Sequence, residues 1–112
     1  KPQTKKQPMP QVAFKMQLFP GKEAEYKKRH DELWPDLAVE LKNAGISDYS
    51  IYLHPQSLKL FAVLKRTDNH TMDNLPATAA VKKWWAFMAD IMETNPDNSP
   101  VVEPLDQVFH FE

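Results

Sequence analysis

A tyrosine and a histidine spaced for one face of a helix are the first residues in this sequence that could do chemistry. Tyr26 and His30 lie four positions apart, and the leucines at 33, 37 and 41 continue the same stripe. Side chains at this spacing lie one helical turn from each other. An imidazole on the inward face of an amphipathic helix loses hydration, which favours its neutral form and brings its titration near working pH. His30 is therefore a candidate for proton transfer, and the alternative is a hydrogen-bonded histidine of the core.

Three further aromatic side chains are candidates for binding. Trp84 and Trp85 are adjacent in a stretch with helical apolar spacing, so they point about 100° apart around the helix. We expect one indole in the core and the other at the edge of the apolar stripe, where it could stack on a sugar face; packing of both in the core is the alternative. Tyr49 shares a strand face with Ile51 and could offer its hydroxyl to a cleft above that face, or serve only to pack on the sheet.

Composition excludes several other kinds of site. The 112 residues contain no cysteine, which rules out thiolate chemistry, and only two glycines, too few for a glycine-rich phosphate loop. The four histidines lack the spacings typical of zinc sites, so we expect no metal. A net charge of −1 argues against nucleic acid as a partner, and the short basic run Lys27-Lys28-Arg29 is expected to be a solvated helix face. No apolar run reaches the roughly 20 residues that a membrane span needs.

Hydrophobic spacing predicts the elements that must position these residues. The expected strands cover residues 12–18, 46–54, 58–65 and 107–111. The expected helices cover residues 22–43 and 81–92. Pro35 lacks a backbone donor, so the first helix should kink or restart near Trp34. Gly45 stands where a helix C-cap is expected.

The order β-α-β-β-α-β is that of the ferredoxin-like unit and predicts an α+β fold, with a four-stranded antiparallel sheet and both helices on one face. Residues 1–10, with three prolines and three lysines, are expected to be a flexible arm, and residues 11–112 a single domain. The uncovered sheet face predicts a homodimer that packs sheet against sheet. The covered face predicts a cleft between the helices and the sheet.

Four segments of the chain resemble the L-rhamnose mutarotase family. They are EAEYKKRHDELWP (23–35), DYSIYL (48–53), VKKWWAFMADIM (81–92) and TNPDNSP (94–100). The resemblance runs in order from about Phe14 to Phe111. It implies a dimeric α/β-barrel of ferredoxin-like protomers that interconverts the α and β anomers of L-rhamnose without cofactor or metal. It also implies that His30 is the proton donor and that Tyr26, Tyr49, Trp84 and Trp85 bind the sugar.

Two other functions stay open at this point. Cofactor-free oxygenases of the small dimeric α/β-barrel type share the architecture and also use His, Trp and Tyr in a cleft. A non-catalytic sugar-binding module on the same fold is the second alternative. The loop 94–100 beside the tryptophan helix favours the mutarotase, through the resemblance alone. The lack of cysteine suits a reducing compartment, and we expect a cytoplasmic protein with no membrane partner.

Overall fold

The computed structural model describes residues 10–112, so the arm expected over residues 1–10 lies outside the described part except for Pro10. Within that part the strands are β1 (Gln11–Gln17), β2 (Ile46–His54), β3 (Lys59–Arg66) and β4 (Glu103–Leu105). The α-helices are α1 (Glu23–Asp31), α2 (Pro35–Asn43) and α3 (Ala79–Met88), and a short 3-10 helix (Met72–Ala77) precedes α3. With α1 and α2 together in the place of the first helix, the expected α+β, ferredoxin-like order is confirmed.

The four strands form one antiparallel sheet in the order β2-β3-β1-β4. At its centre, Phe14 of β1 stands opposite Ala62 of β3 and Pro104 of β4. Because side chains alternate along a strand, Phe14 packs toward the helices while its neighbour Lys15 lies on the other face. There Lys15 pairs with Glu103 of β4 at 2.9 Å. The helices thus cover one face of the sheet, and the other face is open.

The last strand is shorter and earlier than predicted, and the expectation of a strand over residues 107–111 is wrong. Leu105 stands opposite Ala13, and beyond Ala13 only two residues of β1 remain for further pairing. Pro10, which precedes β1, has no N–H to extend the ladder. Residues 106–112 therefore follow β4 without regular structure and are exposed.

The expected interruption near Trp34 is confirmed, and it is a full break rather than a kink. The first helix ends at Asp31 and the second begins at Pro35. Trp34 between them is extended, with φ −64° and ψ 133°. A residue before proline is disfavoured in the helical region, whereas proline suits the first position of a helix. The break lets α1 and α2 follow different directions over the sheet.

The last helix ends earlier than its apolar stripe. It begins where the Thr78 hydroxyl accepts a hydrogen bond from the Val81 N–H at 3.3 Å and ends at Met88, not at Met92. Ile91 and Met92 are buried as the stripe predicts. Their backbone leaves the helix because it pairs with the chain that extends β1, where the Phe19 N–H donates to the Ile91 carbonyl at 3.0 Å.

The core lies between the helices and the covered face of the sheet. Its most completely buried large side chains are Leu18, Leu60, Leu64 and Ile91. Gly45 closes α2 with φ +90°, a backbone conformation that a side chain would strain. Within residues 10–112 no helix is both long and apolar enough to cross a membrane.

Candidate functional site

An open cavity of about 1450 Å³ lies between the helices and the sheet. All five side chains singled out in the sequence border it: Tyr26, His30, Tyr49, Trp84 and Trp85. The structure thus brings together residues from α1, β2 and α3 that are up to 59 positions apart in the chain. Apolar side chains of the covered sheet face form the floor, among them Phe14 and Ile51.

The helix α1 directs Tyr26 and His30 toward this cavity. The helix is otherwise polar, with Lys27 and Lys28 exposed, while Tyr26 is buried. The four-residue spacing stacks the two rings, whose centroids lie 4.4 Å apart with planes 32° from parallel. The tyrosine therefore forms one wall against the imidazole.

The backbone fixes the tautomer of His30. Its Nδ1 lies 3.0 Å from the carbonyl oxygen of Tyr26. A carbonyl oxygen can only accept, so Nδ1 carries the hydrogen in this contact. In the neutral ring Nε2 then holds the free electron pair, and among the described residues it has no hydrogen-bond partner. The ring is therefore oriented with one nitrogen available to a ligand in the cavity.

The electrostatics of the cavity keep His30 neutral. Burial lowers the pKa of His30 below its usual 6.5, although the hydrogen bond to the Tyr26 carbonyl and the charge of Asp31 act in the opposite direction. Near pH 7 the imidazole is therefore neutral, with Nε2 ready to accept a proton. After accepting one, the ring is a strong donor, because the surroundings favour the neutral form.

The tryptophan pair divides as expected. Trp84 is in the core, only 9% exposed, and its ring stands edge-on to the His30 ring, with centroids 5.3 Å apart and planes at 87°. Edge-to-face geometry of this kind is favourable for aromatic pairs. Trp85 is half-buried and borders the cavity at the edge of the apolar stripe. One indole thus packs against the imidazole, and the other lies at the edge of the cavity.

Tyr49 reaches the cavity from an irregular part of β2. The pairing with β3 shifts register between Ser47 and Ser50, and Asp48 takes a positive φ of 48°. After this bulge Tyr49 and Ile51 share the cavity face, as the alternation predicts. Tyr49 is 40% exposed overall, but loss of hydration at its hydroxyl raises its pKa to about 12.

Both phenols are neutral at working pH. Burial raises the pKa of Tyr26 well above its usual value, and a charge on Tyr49 would raise it further. At pH 7 each hydroxyl is therefore a hydrogen-bond donor and acceptor, not a standing phenolate base. Within residues 10–112 no group of three or more acidic or histidine side chains is arranged to hold a metal ion.

A structured polar loop forms part of the cavity rim. It covers residues 94–100, and its Asn95 N–H donates to the Ser99 carbonyl at 2.7 Å. The Asn95 amide also donates to the Ser99 hydroxyl at 3.0 Å. Asn98 closes the turn with φ +72° and borders the cavity. The loop is thus held mainly by its own polar groups, and it borders the same cavity as the tryptophans.

Sequence reasoning missed a second layer of side chains behind the site. Trp34 stands edge-on to Trp84 at 5.1 Å, and Phe87 contacts both indoles at 5.4 and 5.8 Å. The Arg29 guanidinium covers Phe87, with Cζ 4.2 Å from the ring centroid. The expectation that Arg29 is a solvated residue is wrong, because its side chain is only 11% exposed. The pair Trp34-Pro35 is the one part of this layer that a local sequence pattern marks, as the break between two helices. No local pattern marks Arg29, because its partners Phe87 and Asp90 are distant in sequence.

Comparison with known proteins gives the same family along nearly the whole chain. The family model for L-rhamnose mutarotase matches residues 11–111. The L-rhamnose mutarotase of Acidiphilium cryptum is 58% identical over 102 residues, which is 91% of this chain and 98% of that protein. The L-rhamnose mutarotase of Agrobacterium fabrum is 61% identical over 98 residues, covering 88% of this chain and 92% of that protein.

A solved structure agrees in fold as well as in sequence. The crystal structure of L-rhamnose mutarotase from Formosa agariphila superposes with a TM-score of 0.84 at 49% identity, covering 92% of this chain and 99% of that one. The residues 11–111 that match the family model include β1, the cavity-lining helices and the rim loop. With an imidazole, two phenols and two indoles around one cavity, and relatives that match almost end to end, this chain belongs to the L-rhamnose mutarotase family.

Proposed function

We propose that this protein is an isomerase that interconverts the α and β anomers of L-rhamnose in the cavity between α1, α3 and the sheet. The observation that carries the proposal is the oriented, neutral imidazole of His30, whose Nε2 is free while Nδ1 is held by the backbone. Membership of the family supports L-rhamnose as the substrate, and the geometry of the site supports proton transfer as the chemistry. The reaction needs no cofactor and no metal.

Mutarotation needs one proton moved from one oxygen of the sugar to another. The anomeric hydroxyl loses its proton, the C1–O5 bond breaks as O5 gains one, and the open-chain aldehyde rotates about C1–C2 before it closes on the other face. Because His30 is neutral at rest, we propose that Nε2 takes up the proton that the anomeric hydroxyl releases and delivers it to O5. A positioned acid or base contributes about 10²–10⁴-fold. Water, Tyr26 or Tyr49 would relay this proton from the anomeric oxygen to Nε2.

The other four side chains are assigned to binding. The neutral hydroxyls of Tyr26 and Tyr49 would hydrogen-bond sugar hydroxyls, which requires no charge. Trp84 and Trp85 would pack on the ring face and on the methyl group that replaces the sixth hydroxyl. The site must leave C1 room to rotate, so these contacts should hold the far side of the sugar.

The test is the rate of anomer exchange, measured by saturation-transfer NMR at substoichiometric protein. We expect L-rhamnose exchange to accelerate and His30→Ala to lose most of that acceleration while ligand binding survives. His54→Ala is the matched control, because His54 is the exposed last residue of β2, where its ring contacts Ser57 at 2.6 Å in the turn that follows. Exchange at the wild-type rate in His30→Ala would remove His30 from the mechanism. L-Fucose and D-glucose, run in parallel, measure the sugar range.

The same measurements separate the alternatives. An oxygenase would consume oxygen with a polycyclic aromatic substrate and leave the sugar exchange unchanged. A sugar-binding module would shift ligand spectra without accelerating exchange. Either result would reject the isomerase.

We also propose that the domain over residues 11–112 works as a homodimer, joined through the open sheet face as a dimeric α/β-barrel. Two features support this. On that face Tyr52 is 63% exposed and a groove is lined by Ala13 and Val63. Next to it the tail carries Val108, Phe109 and Phe111, each at least 77% exposed. Apolar side chains in such numbers are typical of a surface that another chain covers.

Light scattering tests the dimer. We expect the mass of two chains for the wild type, and dissociation in Phe109→Asp. Val39→Asp is the control, because Val39 is 56% exposed on α2, on the helix side of the sheet. A wild-type protein with the mass of one chain would contradict the proposal. A cytoplasmic location stays a prediction for cell fractionation.

A further inference from the structure

The residue next to the proposed proton donor reaches away from the cavity to a different helix. Arg29 precedes His30 in α1, and its Nη1 donates to the Phe87 carbonyl at 2.6 Å, near the end of α3. Nη1 and Nη2 also bind both oxygens of Asp90, at 2.9 and 3.3 Å. On its own helix, Nε pairs with Glu25 at 2.7 Å. Nη1 and Nη2 thus join α1 to the end of α3 and the turn that follows it, while Nε holds the guanidinium on its own helix.

This junction matters because α1 has little else to hold it. Within residues 10–112, α2 packs closely against α3 and β2, whereas α1 makes no comparable backbone approach to another element. Its sequence is mostly charged, so the apolar surface it can bury is largely the ring of Tyr26. Where α1 sits over the cavity is therefore set by a few side chains, of which Arg29 makes the most directional contacts.

The guanidinium also closes a continuous stack of rings that ends at the imidazole. Arg29 covers Phe87 at 4.2 Å, which is in the range of a cation–π contact. Phe87 packs on Trp34 and Trp84, and Trp84 stands edge-on to His30. Arg29 thus acts on His30 by two routes: along α1, as its neighbour, and across α3, through Phe87 and Trp84.

We propose that Arg29 is a positioning residue for the proton transfer, and that its grip on Asp90 and the Phe87 carbonyl fixes the distance from His30 to the bound sugar. Arg29 does not border the cavity. This inference rests on the proposed function, because it assigns a role within the same site. The contacts that set the geometry of the proton transfer then lie outside the cavity, between α1 and the end of α3.

The test compares two methionine substitutions, one on α1 and one on α2. Arg29→Met removes the junction, whereas Lys42→Met removes an exposed charge on α2 that does not border the cavity. A displacement of about 1 Å can cost up to 10²-fold in rate, so we expect Arg29→Met to lower kcat by ten-fold or more while KM changes less. Lys42→Met should keep kcat within about two-fold of the wild type, as for other exposed sites. Arg29→Lys, which can keep one ion pair to Asp90, should recover part of the rate.

The NMR signals of the His30 ring give a readout that does not depend on catalysis. Trp84 and Tyr26 shift these signals through their ring currents, so Arg29→Met should move them and Lys42→Met should not. Wild-type kcat and wild-type His30 signals in Arg29→Met would overturn the proposal, and so would a rate loss that only follows the unfolded fraction. If Arg29→Met does not fold, Asp90→Asn decides in the same way, since it leaves the pair with Glu25 intact. Absence of exchange in the wild type would reject the proposed function, and the His30 signals would still decide the role of Arg29.

Discussion

Replacing Tyr26 by phenylalanine separates hydrogen bonding from proton transfer in the proposed site. The change removes one hydroxyl and keeps the ring, whose centroid lies 4.4 Å from that of His30. Because burial raises the pKa of the phenol far above neutrality, the group lost at pH 7 is a neutral hydroxyl. One neutral hydrogen bond contributes about 0.5–1.5 kcal/mol, which corresponds to a factor of roughly 2 to 12. We expect this factor to appear in KM, with kcat nearly unchanged, because such a bond holds the ground state and the transition state equally.

The assay is anomer exchange at several concentrations of L-rhamnose, with Tyr52→Phe as the control. Tyr52 lies on the open face of the sheet and is 63% exposed, so losing its hydroxyl should leave kcat and KM unchanged. The reasoning is refuted if Tyr26→Phe turns over the sugar about a hundred-fold more slowly, or worse, while KM stays the same. That loss is too large for one neutral hydrogen bond and would make Tyr26 the second proton-transfer group.

Three further predictions concern stability. The pKa of His30 is lower in the folded protein than in the unfolded chain. As the pH falls below 6.5, the unfolded chain therefore binds a proton first and the free energy of unfolding declines. His30→Gln should flatten this decline in urea titrations between pH 5 and 7.5. Trp84→Ala should cost about 3–5 kcal/mol in the same assay, because a core indole is lost, and a loss under 1 kcal/mol would contradict its place in the core. Gly45→Ala should destabilise the protein more than Gly21→Ala. Both glycines have a positive φ, in which an alanine loses about 1–2 kcal/mol of stability. Only at position 45 would the new Cβ also clash with a neighbour, the Thr67 hydroxyl. Equal effects at the two glycines would mean that the contact with Thr67 relaxes freely.

Local patterns were enough to predict most of the fold. Period-two alternation gave β1 within a residue at each end, and the proline at 35 gave the break between α1 and α2. The errors occurred where a distant partner decides the outcome. The chain beyond Leu105 has strand-like composition, but only two residues of β1 remain beyond Ala13 and Pro10 has no N–H to extend the ladder, so the strand expected over residues 107–111 does not form. The apolar stripe of α3 continues to Met92, but pairing with the extension of β1 ends the helix first.

The same distinction holds for the candidate site. A four-residue spacing on one helix put Tyr26 and His30 on a common face, and adjacency alone separated the roles of the two tryptophans. Neither pattern indicates how α1 is held. Arg29 sits in a basic run that is typical of a solvated face, and its partner Asp90 is 61 positions away. Only the folded chain shows that this guanidinium is largely buried between two helices.

The charge state of the cavity fits the reaction we propose better than it fits a permanently charged catalyst. Burial lowers the pKa of His30 and raises those of Tyr26 and Tyr49, so all three side chains meet the sugar uncharged. Ring opening of a hemiacetal starts and ends with neutral species, and charge exists only while the proton is in transit. A fixed charge that contacted the sugar equally in the ground state and in the transition state would lower KM without raising kcat. A neutral imidazole packed between Tyr26 and Trp84 can instead carry a charge while it holds the proton and become neutral again when it releases it. This explains why His30 needs accurate orientation more than a charged partner, and why the contacts that orient it extend as far as Arg29.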